Sequence, residues 1–110
     1  MTKYTSNDGT FLVSQLQTKE GINIAFCYAW DSAVDEVSDS IAIKYSNYID
    51  KEDANELWLK PSVESIITLQ ELKDIVSMDK TDSIVLYNMD DMSLIAGVTD
   101  WFDPDTLIKV

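Results

Sequence analysis

From Phe11 to Gln17, Phe11 and Val13 fall on one side of an extended chain with Gln15, and Leu12, Ser14 and Leu16 fall on the other. Thr18-Lys19-Glu20-Gly21 follows as a turn signal, and Ile22 to Trp30 is then apolar, β-branched and aromatic almost without a break. A period of two marks a half-buried strand, and a short apolar run bounded by turn residues marks a strand covered on both faces. The pattern predicts a β-hairpin with its second strand largely buried. Residues 1–10 are polar and predict a loose N-terminal arm or a short edge segment.

The period changes after Asp31, a good N-cap followed by Ser32, Asp35 and Glu36, which suit a first helical turn. Val34, Val37, Ile41, Tyr45 and Tyr48 are spaced three, four, four and three apart, one face of an amphipathic helix running to about Ile49. Ile41-Ala42-Ile43-Lys44-Tyr45 taken alone also suits a strand. Asp50 to Glu56 is charged and predicts a turn or a frayed extension of the helix. Leu57-Trp58-Leu59-Lys60 has the look of a short strand stopped by Pro61.

Thr68 and Glu71 have the spacing of a capping box, and Leu69, Leu72, Ile75 and Val76 carry helical spacing to about Met78. Ser83 to Asn88 predicts a strand, Asp90-Asp91 a tight turn, and Ser93 to Trp101 its hairpin partner. Gly97 inside that strand signals a bulge or a close backbone approach. Leu107-Ile108-Lys109-Val110, beyond Pro104, is a candidate last strand. No repeat, linker or low-complexity tract interrupts the series. The expectation is a single α+β domain over residues 1–110, with a mixed or mainly antiparallel sheet and about two helices packed on one face.

Composition changes the picture through charge. Twenty carboxylates stand against eight lysines, for a net of −12, with neither arginine nor histidine. Such an imbalance repels nucleic acid and anionic membrane and keeps a protein soluble at some cost in self-repulsion. Lack of arginine also removes the usual bidentate grip on phosphate or carboxylate. The expected partner is therefore a basic protein. No stretch approaches the ~20 apolar residues of a membrane span. The first residues lack the apolar core of a secretory signal, so the expected location is cytoplasmic.

Catalytic chemistry finds little to stand on. Without histidine the commonest general base is missing, and Cys27, between Phe26 and Tyr28, has no cation beside it in sequence to lower its pKa; it reads as a buried structural cysteine. Carboxylate pairs abound by chance among twenty acids, and none stands out. One cysteine without histidine leaves zinc no ligand set, and no calcium-loop spacing occurs. Asp100, Asp103 and Asp105 are close in sequence and suit solvated aspartates better than a cation site. Gly9, Gly21 and Gly97 are the only glycines, so there is no phosphate-cradling loop. No enzyme, cofactor or metal is expected.

What remains is the arrangement of charge. Asp31 to Glu56 carries eight carboxylates (Asp31, Asp35, Glu36, Asp39, Asp50, Glu52, Asp53 and Glu56) against two lysines. On a helix Asp31, Asp35 and Asp39 follow each other at i, i+4 and i+8, about 6 Å apart along the axis, with no lysine at i+4 to relieve them. Such a row suits the positive groove of a nuclease as a phosphate mimic, or it is simply a solvated helix face. Tyr45, Tyr48, Trp58 and Trp101 are candidate aromatic anchors for the partner, and equally ordinary core residues. Two readings follow. One is an acidic inhibitor of a basic partner: an immunity or antitoxin protein for a toxic nuclease, or a nucleic-acid mimic. The other is a non-inhibitory adaptor or homo-oligomeric assembly module. An enzyme working with carboxylates alone ranks third.

Overall fold

The computed structural model describes residues 1–6, 11–29, 35–51, 57–78 and 83–97. The alternating and apolar segments form strands β2 (Phe11–Gln17) and β3 (Asn23–Ala29), paired antiparallel from Phe11↔Ala29 to Gln17↔Asn23. Thr2–Thr5 pairs with β2 as an antiparallel edge strand, β1. Of the two readings of the N-terminal residues, Thr2–Thr5 takes the short edge segment and not the loose arm: an edge strand is held by its neighbour's backbone and leaves little apolar signature of its own.

Helix α1 spans Asp35–Lys44 and is shorter than its spacing predicted. Tyr45 N still donates to Ile41 O, but Tyr48 N and Ile49 N both turn back to Tyr45 O, closing the helix over Ser46 and Asn47. Ile49 then enters strand β4 (Ile49–Lys51), opposite Leu59 of β5 (Leu57–Leu59). So Asp50 lies in a strand and not in a helical extension. Tyr45 and Tyr48 keep their inward spacing through the turn, which is why the helical pattern outlasted the helix. As expected, β5 stops before Pro61, where a single 3₁₀ turn, Pro61–Val63, begins.

Helix α2 (Leu69–Met78) occupies the predicted residues. Its capping box is closed in both directions: Thr68 N donates to Glu71 Oε1 at 3.0 Å, and Glu71 N donates to Thr68 Oγ1 at 3.2 Å. Strands β6 (Ile84–Asn88) and β7 (Ser93–Gly97) form the second hairpin. A five-stranded sheet in the order β1-β2-β3-β6-β7 results, antiparallel throughout, with β4 and β5 as a separate two-stranded ribbon. The α+β expectation holds. The expected end of β7 at Trp101 and the candidate strand at 107–110 fall outside the described residues.

Both faces of the sheet are buried. On one, Leu12, Leu16, Ile24, Phe26, Ile84 and Leu86 join Ile41 of α1, Leu57 and Leu59 of β5, and Leu72 and Ile75 of α2 in one cluster. On the other, Phe11, Val13, Ala25, Cys27, Val85 and Tyr87 form a smaller one. A strand covered on two sides has no polar face to show, which accounts for the unbroken apolar run of β3.

Ser14 is the polar exception on the helix-bearing face. It is 1% exposed, and its Oγ accepts a hydrogen bond from Leu59 N at 3.1 Å. That contact fastens the β4–β5 ribbon to the main sheet. Ser14→Ala leaves the Leu59 amide buried without this acceptor and is expected to cost about 1–3 kcal/mol. Urea denaturation measures it; an unchanged midpoint would show that the ribbon is held by packing alone.

Candidate functional site

Strand pairing gathers charge at one end of the sheet. The β2–β3 turn and the β6–β7 turn lie side by side there, because Asn23 closes both ladders: it pairs with Gln17, and Met89 N donates to its carbonyl. The loop before α2 joins them through Ser65 N to Gln17 O and Lys19 N to Ile67 O, both 2.8 Å. Four carboxylates from three separate parts of the chain lie at this end. Glu20 accepts from Leu69 N at 3.1 Å, adding a long-range cap to the first turn of α2. Glu64 pairs with the Met1 ammonium at 2.5 Å. Asp90 accepts from Asn23 Nδ2 at 2.9 Å, and Asp91 accepts from Ser93 N and Oγ at 3.0 and 2.6 Å.

Two of these carboxylates, Glu64 and Asp90, line an open polar groove of about 340 Å³ with Gln15, Gln17, Asn23, Met1 and Met89. Amides and carboxylates dominate it, so it suits a cationic or hydrogen-bonding group better than an apolar one. Glu20, Glu64 and Asp91 are held in their charged form by their donors. Glu20 lies below the usual carboxylate range chiefly through its own backbone amide, Glu64 through the Met1 ammonium, and Asp91 through the Ser93 hydroxyl and amide.

Glu71 belongs to the same region and has a further donor. The Tyr48 hydroxyl donates to Glu71 Oε2, tying the turn after α1 to the first turn of α2. This bond is the main reason the Glu71 carboxyl lies below its ordinary value of 4.5, with the Thr68 amide next. Because the native state lowers this pKa, its contribution is complete above the unfolded value and fades as pH falls through the native one. The stability gap between wild type and Glu71→Gln is therefore expected to be constant above the ordinary carboxylate range and to narrow as pH falls below it. Urea titrations of the two proteins from neutral to acid pH test it; a gap that does not narrow towards acid would assign the effect to packing.

Of the residues singled out from sequence, Asp35, Glu36 and Asp39 lie in α1, where Asp35 and Asp39 keep the i, i+4 relation. Asp50 is half-buried on β4. Asp31, Glu52, Asp53, Glu56 and Trp101 lie outside the described residues. Tyr45 and Tyr48 are half-buried against the main core. Trp58 is 7% exposed and inside that core, with the Lys3 ammonium 4.6 Å from its ring centroid, so it acts as packing and not as an exposed anchor. Cys27 is fully buried, and burial pushes its thiol pKa far up, which leaves no thiolate for chemistry.

Glu20, Glu64, Asp90 and Asp91 were not among the sequence candidates. Each stands alone or as a pair among residues of ordinary polarity, and only the long-range ladders bring them together. Among the described residues no three His, Cys, Asp or Glu side chains are arranged to hold a metal ion, and no helix is long and apolar enough to cross a membrane. No family model, curated protein or solved structure matches this chain.

Proposed function

We propose that the protein is an acidic inhibitor of a basic protein, acting in the cytoplasm as an immunity or antitoxin partner of a toxic nuclease. The observation that carries this reading is the charge: twenty carboxylates against eight lysines, with no arginine or histidine. Placement in the turns at one end of the sheet adds to it, since several of these carboxylates are fixed by hydrogen bonds and so keep their geometry when a partner arrives. Preorganised charge of one sign accelerates encounter with an opposite surface and rejects anionic competitors such as nucleic acid. A nuclease surface that grips phosphate is the natural complement.

The test is capture on the immobilised protein from its native cell extract at about 0.05 M and about 0.5 M salt, between which the screening length falls severalfold. A basic protein retained at low salt and released at high salt, whose nuclease activity is lost on adding an equimolar amount of this chain, is the expected result. If the partner retained is acidic or salt-insensitive, or its activity is untouched, the inhibitor reading is wrong. Light scattering that finds a stable homodimer without any basic partner replaces it with the assembly module.

A further inference from the structure

Strands of one sheet satisfy each other's backbone, but the side chains standing off a face are buried only by a second layer. On the second face of this sheet Val13, Ala25, Cys27 and Val85 are 0% exposed and Phe11 is 1% exposed. The described helices and ribbon lie on the first face. Buried side chains of α1, α2, β4, β5 and the 3₁₀ turn all belong to the cluster that holds Leu12, Phe26 and Leu86. The second cluster holds side chains of β2, β3 and β6, with Tyr4 of β1 and Met89 packed against it. This burial is that of a single chain, so the cover belongs to the same chain.

The segments outside the described residues differ in what they can bring to that face. Residues 7–10 and 79–82 contain no apolar side chain, and 52–56 contain Ala54 alone. Residues 30–34 include Trp30, Ala33 and Val34, but those five residues must carry the chain from β3 to α1 on the first face. Residues 98–110 hold Val98, Trp101, Phe102, Leu107, Ile108 and Val110. The point of departure suits them too. β7 ends at Gly97, opposite Val85 in the ladder, so the chain leaves the sheet beside a member of the second cluster. From β7 the order runs through β6 and β3 to β2, about 14 Å away at ~4.8 Å per strand. A segment of this length reaches ~20 Å as a helix and ~43 Å extended, enough to cross in either form.

We propose that residues 98–110 fold back over the second face of the sheet and close it, setting Trp101, Phe102, Leu107 and Ile108 against the second cluster. Asp100, Asp103 and Asp105 interrupt these apolar pairs and are left to water, since burying a lone carboxylate is costly. The inference goes beyond the inhibitor reading and stands independently of it. It makes Trp101 a part of the fold and withdraws it from the anchors open to a partner.

Nuclear Overhauser contacts in the intact, isotope-labelled chain test the proposal. The expected result is contacts from the Trp101 indole and the Leu107 and Ile108 methyls to the methyls of Val13, Ala25 and Val85. Cys27 supplies a second reading, because it is the only cysteine and lies on the covered face. A thiol reagent should label it slowly in the wild type and about tenfold or more faster in Leu107→Asp, which opens the cover locally. Leu72→Ala loosens the first face instead. Compared at urea concentrations that give the two variants equal stability, Leu72→Ala should leave Cys27 the slower to react.

Three outcomes overturn the cover: no contact from residues 98–110 to the second cluster, equal labelling of Cys27 in the two variants at matched stability, or contacts seen only between differently labelled molecules. The last would hand the face to a second copy of the chain. None of the three touches the inhibitor reading, which the salt-dependent capture decides by itself.

Discussion

Gly97→Ala is expected to destabilise the protein by about 3–5 kcal/mol, since it adds a steric clash to a backbone penalty. The native φ of Gly97 is +105°, and a Cβ built there lies 2.4 Å from the Ile84 carbonyl oxygen and 3.0 Å from Val85 Cα. Both are backbone atoms of β6, so relief requires β7 to move away from the strand it pairs with. Gly21→Ala is the natural comparison. Its φ is +87°, but the nearest atom to an added Cβ is Gln17 Nε2, 3.9 Å away, so only the conformational cost of about 1–2 kcal/mol applies. Thermal unfolding separates the two: at about 4 °C or more per kcal/mol, Gly97→Ala should melt at least 10 °C below wild type and well below Gly21→Ala. Equal losses at the two positions would mean that β6 and β7 do not approach as described.

The second large effect is expected at Phe26. This ring is 1% exposed on β3, the central strand, with a partner strand on each side. Phe26→Ala is expected to cost about 3–5 kcal/mol, a large share of the 5–15 kcal/mol that holds a typical domain together. Ile43→Ala removes a comparable apolar side chain from a position 77% exposed on α1 and should lie within about 0.5 kcal/mol of wild type. Denaturant titrations of the pair read this directly. If Ile43→Ala proved as costly as Phe26→Ala, some further surface would have to cover α1.

The contrast between what local pattern foretold and what it missed has a physical cause. β3, α2 with its capping box, and the β6–β7 hairpin were legible because each is specified by neighbours within a few residues: an apolar run, a Thr-to-Glu spacing, a turn between two strands. Gly97 was legible because a glycine within a strand pattern signals close backbone contact. β1 was legible only as one of two alternatives, since an edge strand takes its order from its partner. The end of α1 was misread because Tyr48 continues to face the core after the helix has stopped. Trp58 illustrates the same limit, for an aromatic flanked by Leu57 and Leu59 serves a core or an interface equally well until the layers are known. The grouping of carboxylates at the sheet end was invisible for the strongest reason: Glu20, Glu64 and the Asp90-Asp91 pair owe their proximity to pairings between distant parts of the chain.

The insertion of both helices and the β4–β5 ribbon between β3 and β6 bears on how this chain finds its native state. β3 and β6 are hydrogen-bonded neighbours, with Tyr28 opposite Ile84 and Ile24 opposite Asn88, yet residues 30–83 must be threaded out and back before that ladder can form. The closure entropy of so long an excursion falls due before the contacts that reward it. The two hairpins on either side can form early from local contacts, while the seam joining them waits for the intervening segment to condense. Refolding should accordingly be slow for a protein of this size, with the β3–β6 amides the last of the sheet to gain protection in pulse-labelling.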